Sequence, residues 1–151
     1  MVSTGIRMSN IGEYIKVFMI DVENETMGTI EMPNTLKDMK KLVGAPTIQV
    51  GTIAIGEYTF KAIYTARAND KMHISCADEK GVSVYRGNVL IVGFETDVNK
   101  GEILCSLSDE EAQLLLANTG LMYIECKDNT AYNTYVLCNV KVIDDDEENK
   151  E

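Results

Sequence analysis

Residues 88–94, "NVLIVGF" (Asn88 to Phe94), decide the fold. Val89, Leu90, Ile91 and Val92 follow one another with no polar residue between them. Successive strand side chains point to opposite faces, so this run predicts a strand buried on both sides. Upstream, "TIQVGTIAI" (47–55), "YTFKAIYTA" (58–66) and "KMHISCA" (71–77) are rich in β-branched and aromatic residues. Gly56-Glu57 and Ala68-Asn69-Asp70 punctuate them, and "ADEKG" (77–81) is a turn signal before "VSVY" (82–85). Further out, "YIKVFMID" (14–21) reads as a strand, "VENETMG" (22–28) as its turn and "TIEM" (29–32) as its hairpin partner. Downstream, "GEILCSL" (101–107) is strand-like. "LMYIEC" (121–126) and "YVLCNVKVI" (135–143) form a closing pair across the polar loop "KDNTAYNT" (127–134).

Two segments break this pattern. "PNTLKDMKKLVG" (33–44) spaces Leu36, Met39, Leu42 and Val43 along one helical face, with Asn34 as the expected cap and Gly44 as the stop. Ser108-Asp-Glu-Glu111 is a capping box, with Ala112, Leu115 and Leu116 behind it and Gly120 as the expected end. The expected fold is therefore α+β: an antiparallel-rich sheet with two helices, over about 34–43 and 109–118, packed on it.

Composition bounds the rest. A chain of 151 residues, 45% hydrophobic and 25% charged, has enough apolar content for one globular domain, expected over 1–143. The opening "MVSTGIRMSN" lacks an apolar signal core, and no apolar run reaches the length of a membrane span. Cys76, Cys105, Cys126 and Cys138 lie in separate apolar runs with no C-x-x-C pair, which predicts free, mostly buried thiols.

Charge is unevenly distributed around a net of -10: residues 1–36 carry -3, residues 37–94 carry +3 and residues 95–151 carry -10. Half of that last figure belongs to "DDDEENKE" (144–151), expected to be a disordered acidic tail. Lys37, Lys40 and Lys41 share the rim of the first helix, where they are expected to meet the protein's own acidic carboxyl-terminal third, within one chain or across an oligomer.

"NTLKDMKKLVGAPTIQV" (34–50), "ADEKG", "NVLIVG" (88–93) and "CSLSDEEAQLLL" (105–116) stand in an order that resembles an uncharacterised family of bacterial phage, plasmid and conjugative-element proteins. That family looks like N-T-L-x-x-[LM]-[QK]-x-[LI]-V-G-G-x-I-E, a short acidic turn, I-V-G and S-L-[TS]-D-E-E. The chain departs from it at Ala45, at Ile48-Gln-Val, and at "VSVYRG" (82–87), where the family has Leu-Pro-Pro-Asn. "TIAIGEYTFKAIYTA" (52–66) looks inserted, and 117–151 lie beyond the pattern. The resemblance implies a mobile-element context in the cytoplasm of a bacterial host, and no catalytic residue.

No reacting constellation emerges. His73 is the single histidine, so a nucleophile–base pair or a metal site has one imidazole to draw on. His73 and Cys76 fall on opposite faces of a strand. No phosphate loop or dinucleotide fingerprint is present, and no cofactor or metal is expected. Asp109, Glu110 and Glu111 fit helix capping better than acid catalysis. Two binding readings remain. In the first, an acidic surface of Glu95, Asp97, Glu102, Asp109, Glu110, Glu111 and Glu125 docks a host protein with a basic or nucleic-acid-binding surface. The protein would then be a non-catalytic, anti-CRISPR-like inhibitor of a defence nuclease, itself binding neither nucleic acid nor membrane, as a monomer or homo-oligomer. In the second, Tyr58, Phe60, Lys61, Tyr64 and Arg67 hold a nucleotide signal. Against that stands a plain core stripe, since Tyr58, Phe60, Ala62 and Tyr64 alternate on one face.

Overall fold

Val89, Leu90, Ile91 and Val92 are all fully buried, and they begin the long strand β8 (Val89–Asp97). The computed structural model describes residues 6–8 and 13–143. It places the first half of β8 between β5 (Tyr58–Thr65) and β2 (Tyr14–Asp21), antiparallel to both, with Ile91 opposite Ala62 and Phe18. The second half of β8 forms a hairpin with β9 (Gly101–Cys105). Hairpin partners extend the sheet on both flanks: β3 (Thr26–Pro33) beside β2 and β4 (Ile48–Ile55) beside β5. Short strands β1 (Ile6–Met8), parallel to β9, and β12 (Lys141–Val142), on β4, complete eight strands.

The α+β expectation holds, with most pairs antiparallel, but the strands divide into two sheets rather than one. The second runs β10 (Thr119–Glu125), β11 (Ala131–Leu137), β6 (Ile74–Ala77), β7 (Ser83–Arg86). Burial on both sides of β8 accounts for the division. On one face, Phe18, Ile20, Ile53, Phe60, Ala62 and Ile91 join Cys76, Tyr85 and Leu137 of the second sheet in one apolar cluster. On the other, Val17, Ile63, Leu90, Val92 and Leu104 join Met39 and Val43 of the first helix.

That helix, α1 (Leu36–Val43), starts later than expected because Thr35 caps it, accepting the Asp38 N–H at 3.1 Å. Asn34 is fully buried instead, its amide nitrogen reaching the Leu104 carbonyl at 3.4 Å. Gly44 ends the helix at φ 80, where only glycine is unstrained, and its N–H bonds the Lys40 carbonyl at 2.8 Å. The second helix, α2 (Asp109–Ala117), carries the expected capping box of Ser108 and Glu111. It stops before Gly120, because the Asn118 side chain bonds the Leu114 carbonyl (2.9 Å) and the Thr119 hydroxyl the Leu115 carbonyl (2.8 Å). Gly120 belongs to β10, opposite Val136. β11 begins at Ala131, inside the expected loop, which shrinks to a turn closed by the Cys126 N–H on the Thr130 carbonyl with Asn129 at φ 69.

One close approach positions the amino end of α2. A Cβ at Gly93 would sit 3.0 Å from the Ser106 carbonyl oxygen and 3.2 Å from that of Cys105, so a larger residue would have to push this backbone aside where β9 leaves β8. The chain then crosses to β2, where Ser106 Oγ accepts the Lys16 N–H and the Leu107 N–H donates to the Lys16 carbonyl, both at 2.9 Å. All four cysteines are free, but only Cys76 is buried as expected; Cys105, Cys126 and Cys138 are half-buried. Among the described residues no helix is long and apolar enough to cross a membrane. The acidic tail expected at 144–151 lies outside the described residues.

Candidate functional site: an acidic face over β8, β9 and α2

The β8–β9 hairpin sorts its acids by strand alternation. Glu95 pairs with Ile103 and Asp97 with Gly101 on one face, whereas Glu102 pairs with Thr96 on the opposite face. The Glu95 face also carries Cys105, opposite Gly93, and the capping turn brings α2 to it. Burial pushes the Cys105 thiol up to about 11, and the charges of Glu95 and Glu111 add to that push. The Tyr58 phenol is perturbed chiefly by the Glu110 carboxylate. Hydrogen bonding toward Glu110 raises its pKa first, followed by desolvation and the charges of Glu110, Glu111 and Glu57. Glu110, Glu111 and Glu57 therefore act on Tyr58, and Glu95 and Glu111 on Cys105, with Glu111 common to the two.

The remaining predicted acids do other work. The Lys16 ammonium bonds Asp109 and holds its carboxyl below the usual carboxylate range. Asp97 accepts the backbone N–H groups of Asn99 (2.8 Å) and Lys100 (2.9 Å), which lowers its pKa and fixes the hairpin turn. Glu102 is paired at 2.6 Å with Lys61. Glu125 lies at the end of β10 in the second sheet. Among the described residues Lys16–Asp109 and Lys61–Glu102 are the two ion pairs, so Glu95, Glu110 and Glu111 have no paired cation there.

The aromatic and basic segment is spent on the fold. Phe60 is fully buried, and Tyr58 and Tyr64 pack against the same cluster. Tyr64 stacks on Tyr85 with ring centroids 4.2 Å apart. Lys61 points to the opposite face and is 2% exposed; its ammonium donates to Thr52 Oγ1 at 2.6 Å and sits 4.7 Å from the Phe94 ring centroid. Arg67 is exposed beyond the strand. These five side chains form no common pocket.

No family model, curated protein or solved structure matches the chain.

Lys37, Lys40 and Lys41 line an open groove of about 510 Å³ with Gly44, Ala45 and Pro46. They make no ion pair with any described carboxylate, so the self-contact expected of them is not present within the described residues. The far side of Gly44 and Ala45 opens on a smaller cleft of about 290 Å³, which the sequence reading missed. Glu23, Glu25, Lys71 and His73 line it, with Thr65 and Asn88 at its base. Asn88 is buried and accepts the Val22 N–H at 2.8 Å, tying the 22–25 turn to the start of β8. A polar residue at the entrance to an apolar run was the available signal. His73 stacks flat on Tyr132, with centroids 3.7 Å apart. Among the described residues no group of His, Cys, Asp and Glu is placed to hold a metal ion.

Proposed function

We propose that this protein is a non-catalytic binding protein whose carboxylates Glu95, Glu110 and Glu111 dock a basic protein surface of the kind that binds nucleic acid. The observation that carries the reading is the convergence of these carboxylates without a paired cation among the described residues. Carboxylates gathered on one side raise a local negative potential. That potential attracts a Lys- and Arg-rich cleft much as phosphates do. The resemblance implies only a mobile-element context; within that context the partner class we propose is a host defence nuclease, inhibited in an anti-CRISPR-like manner. The test is affinity capture from bacterial lysate at low and high salt, with wild type beside the Glu95→Gln/Glu110→Gln/Glu111→Gln variant. A nucleic-acid-binding protein retained by wild type at low salt and lost in the variant supports the reading. Identical captured sets for the two proteins refute it.

A second reading rests on the 290 Å³ cleft, whose walls carry both signs of charge. Glu23 and Glu25 on one side and Lys71 on the other suit a small zwitterionic ligand better than a nucleotide. Thermal-shift screening of amino acids and nucleotides distinguishes the two ligand classes.

A further inference from the structure

We propose that a second copy of this chain covers β10, the two strands running antiparallel about a twofold axis through Met122 and joining the four-stranded sheets of two protomers into one. Among the described residues β10 is the outer strand of its sheet and pairs only with β11. The Cys126 N–H bonds the Thr130 carbonyl and the Cys138 N–H the Asn118 carbonyl. Alternation between these ends assigns the even residues of β10 to the β11 ladder. Leu121, Tyr123 and Glu125 therefore aim their backbone N–H and C=O groups outward. The side chains along this edge are apolar and uncovered: Leu121 is 59%, Met122 38% and Tyr123 66% exposed, with Leu116 of α2 at 50% beside them.

A bare apolar edge is a template for another strand, and proteins that stay single protect such edges with lysine, proline, bulges or brevity. The other outer strands of this protein are protected in that way. β3 carries Glu31, Pro33 and a glycine at φ 147; β7 has four residues and ends at Arg86; β1 has three and β12 two. β10 has seven residues in an unbroken ladder with neither lysine nor proline.

The sequence of β10, "TGLMYIE", also selects the partner, because it is complementary to itself read backwards. With Met122 opposite Met122 of the second copy, Leu121 meets Tyr123 on one face and Ile124 meets Gly120 on the other. Glu125, the strand's one charge, falls opposite Thr119, so all seven positions pair without like charges meeting. Sliding the register two residues either way leaves four or more positions unpaired across the two ends, or sets Glu125 against Leu121. Such a contact is isologous and closes as a dimer rather than a fibre. Its area, on the order of 1,000 Å² in total, is at the low end for specific interfaces, so dimerisation should depend on protein concentration.

The experiment is sedimentation equilibrium of the full chain from low micromolar to near-millimolar concentration, with circular dichroism confirming that each variant is folded. Wild type should pass from monomer to dimer. Leu121→Lys/Tyr123→Lys places two like-charge pairs across the axis and should weaken the dimer at least about tenfold. Leu121→Lys/Tyr123→Glu places opposite charges at the same two pairs and should restore it. Because Met122 would face itself at a non-hydrogen-bonded pair, about 4.5 Å between Cα atoms, Met122→Cys should form a disulfide with itself on mild oxidation, seen as one cross-linked peptide. A wild type monomeric over the whole range, or a charge-reversed pair no tighter than the double lysine variant, overturns the proposal.

Discussion

Removing the carboxylate of Glu102 should destabilise this protein more than removing the ammonium of Lys61, although the two form one ion pair. The asymmetry follows from burial. The Lys61 side chain is 3% exposed and that of Glu102 38%. With Glu102→Ala, the ammonium keeps only the Thr52 hydroxyl and the Phe94 ring face. Stranding a buried charge costs about 3–5 kcal/mol. Water can enter where a partly exposed glutamate stood, so the expected loss falls just below that range, about 2–3 kcal/mol. With Lys61→Met, the stem keeps its packing on Phe94 and Glu102 turns to solvent. That change should cost about 0–1 kcal/mol, as expected when the buried charge itself is replaced by an apolar group. In the Lys61→Met background Glu102→Ala should be nearly neutral, giving a coupling of about 2 kcal/mol. Urea unfolding followed by far-UV circular dichroism measures all four proteins; the chain has no tryptophan to serve as a probe. If Glu102→Ala costs no more than Lys61→Met, or the two losses simply add, Lys61 is not a buried structural charge and the argument fails.

The double-sided strand should respond as sharply on either side. Leu90→Ala and Ile91→Ala, neighbours in sequence with side chains in different clusters, should each cost about 2–5 kcal/mol in the same unfolding assay. A value under about 1 kcal/mol for either would mean that one face of β8 is wet. Thr35→Ala should cost about 1 kcal/mol through the lost cap on α1; a loss too small to measure would move the cap elsewhere. Cys105, with its thiol pushed up to about 11, should alkylate at pH 8 roughly a hundredfold more slowly than a thiol at the ordinary value of 9, because only the thiolate reacts. Glu95→Gln should speed that reaction, and mass spectrometry of the labelled peptide would show an unchanged rate if the two groups do not interact.

The parts of this fold that were legible in the sequence are those fixed by local chemistry. Val89–Val92 announce burial on both faces, Gly44 a left-handed stop and Ser108 with Glu111 a capping box, and each stands as read. Asn34 and Thr35 are both good caps. What separates them is a contact seventy residues away, between Asn34 and the Leu104 carbonyl, which no local rule contains. The division into two sheets was hidden for the same reason, since alternation says which face is apolar but not what covers it. Alternation did place Tyr58, Phe60 and Tyr64 on a core face, yet it could not show that Lys61, pointing the other way, is held by Glu102 from a strand forty residues on. The acidic residues fared unevenly because sequence gives a count, whereas a surface needs a common face: Glu95, Glu110 and Glu111 share one, and Glu102 lies across the sheet from them.

The most direct test of the proposed function is the salt dependence of binding between this protein and the purified partner it captures. Dissociation constants would be measured for wild type and for the Glu95→Gln/Glu110→Gln/Glu111→Gln variant, with and without competing DNA. Docking through this acidic face predicts affinity that falls steeply with salt, a weaker and flatter dependence in the variant, and loss of the complex as DNA occupies the same cleft. Equal affinities for wild type and variant at every salt concentration, or a complex indifferent to DNA, would contradict it.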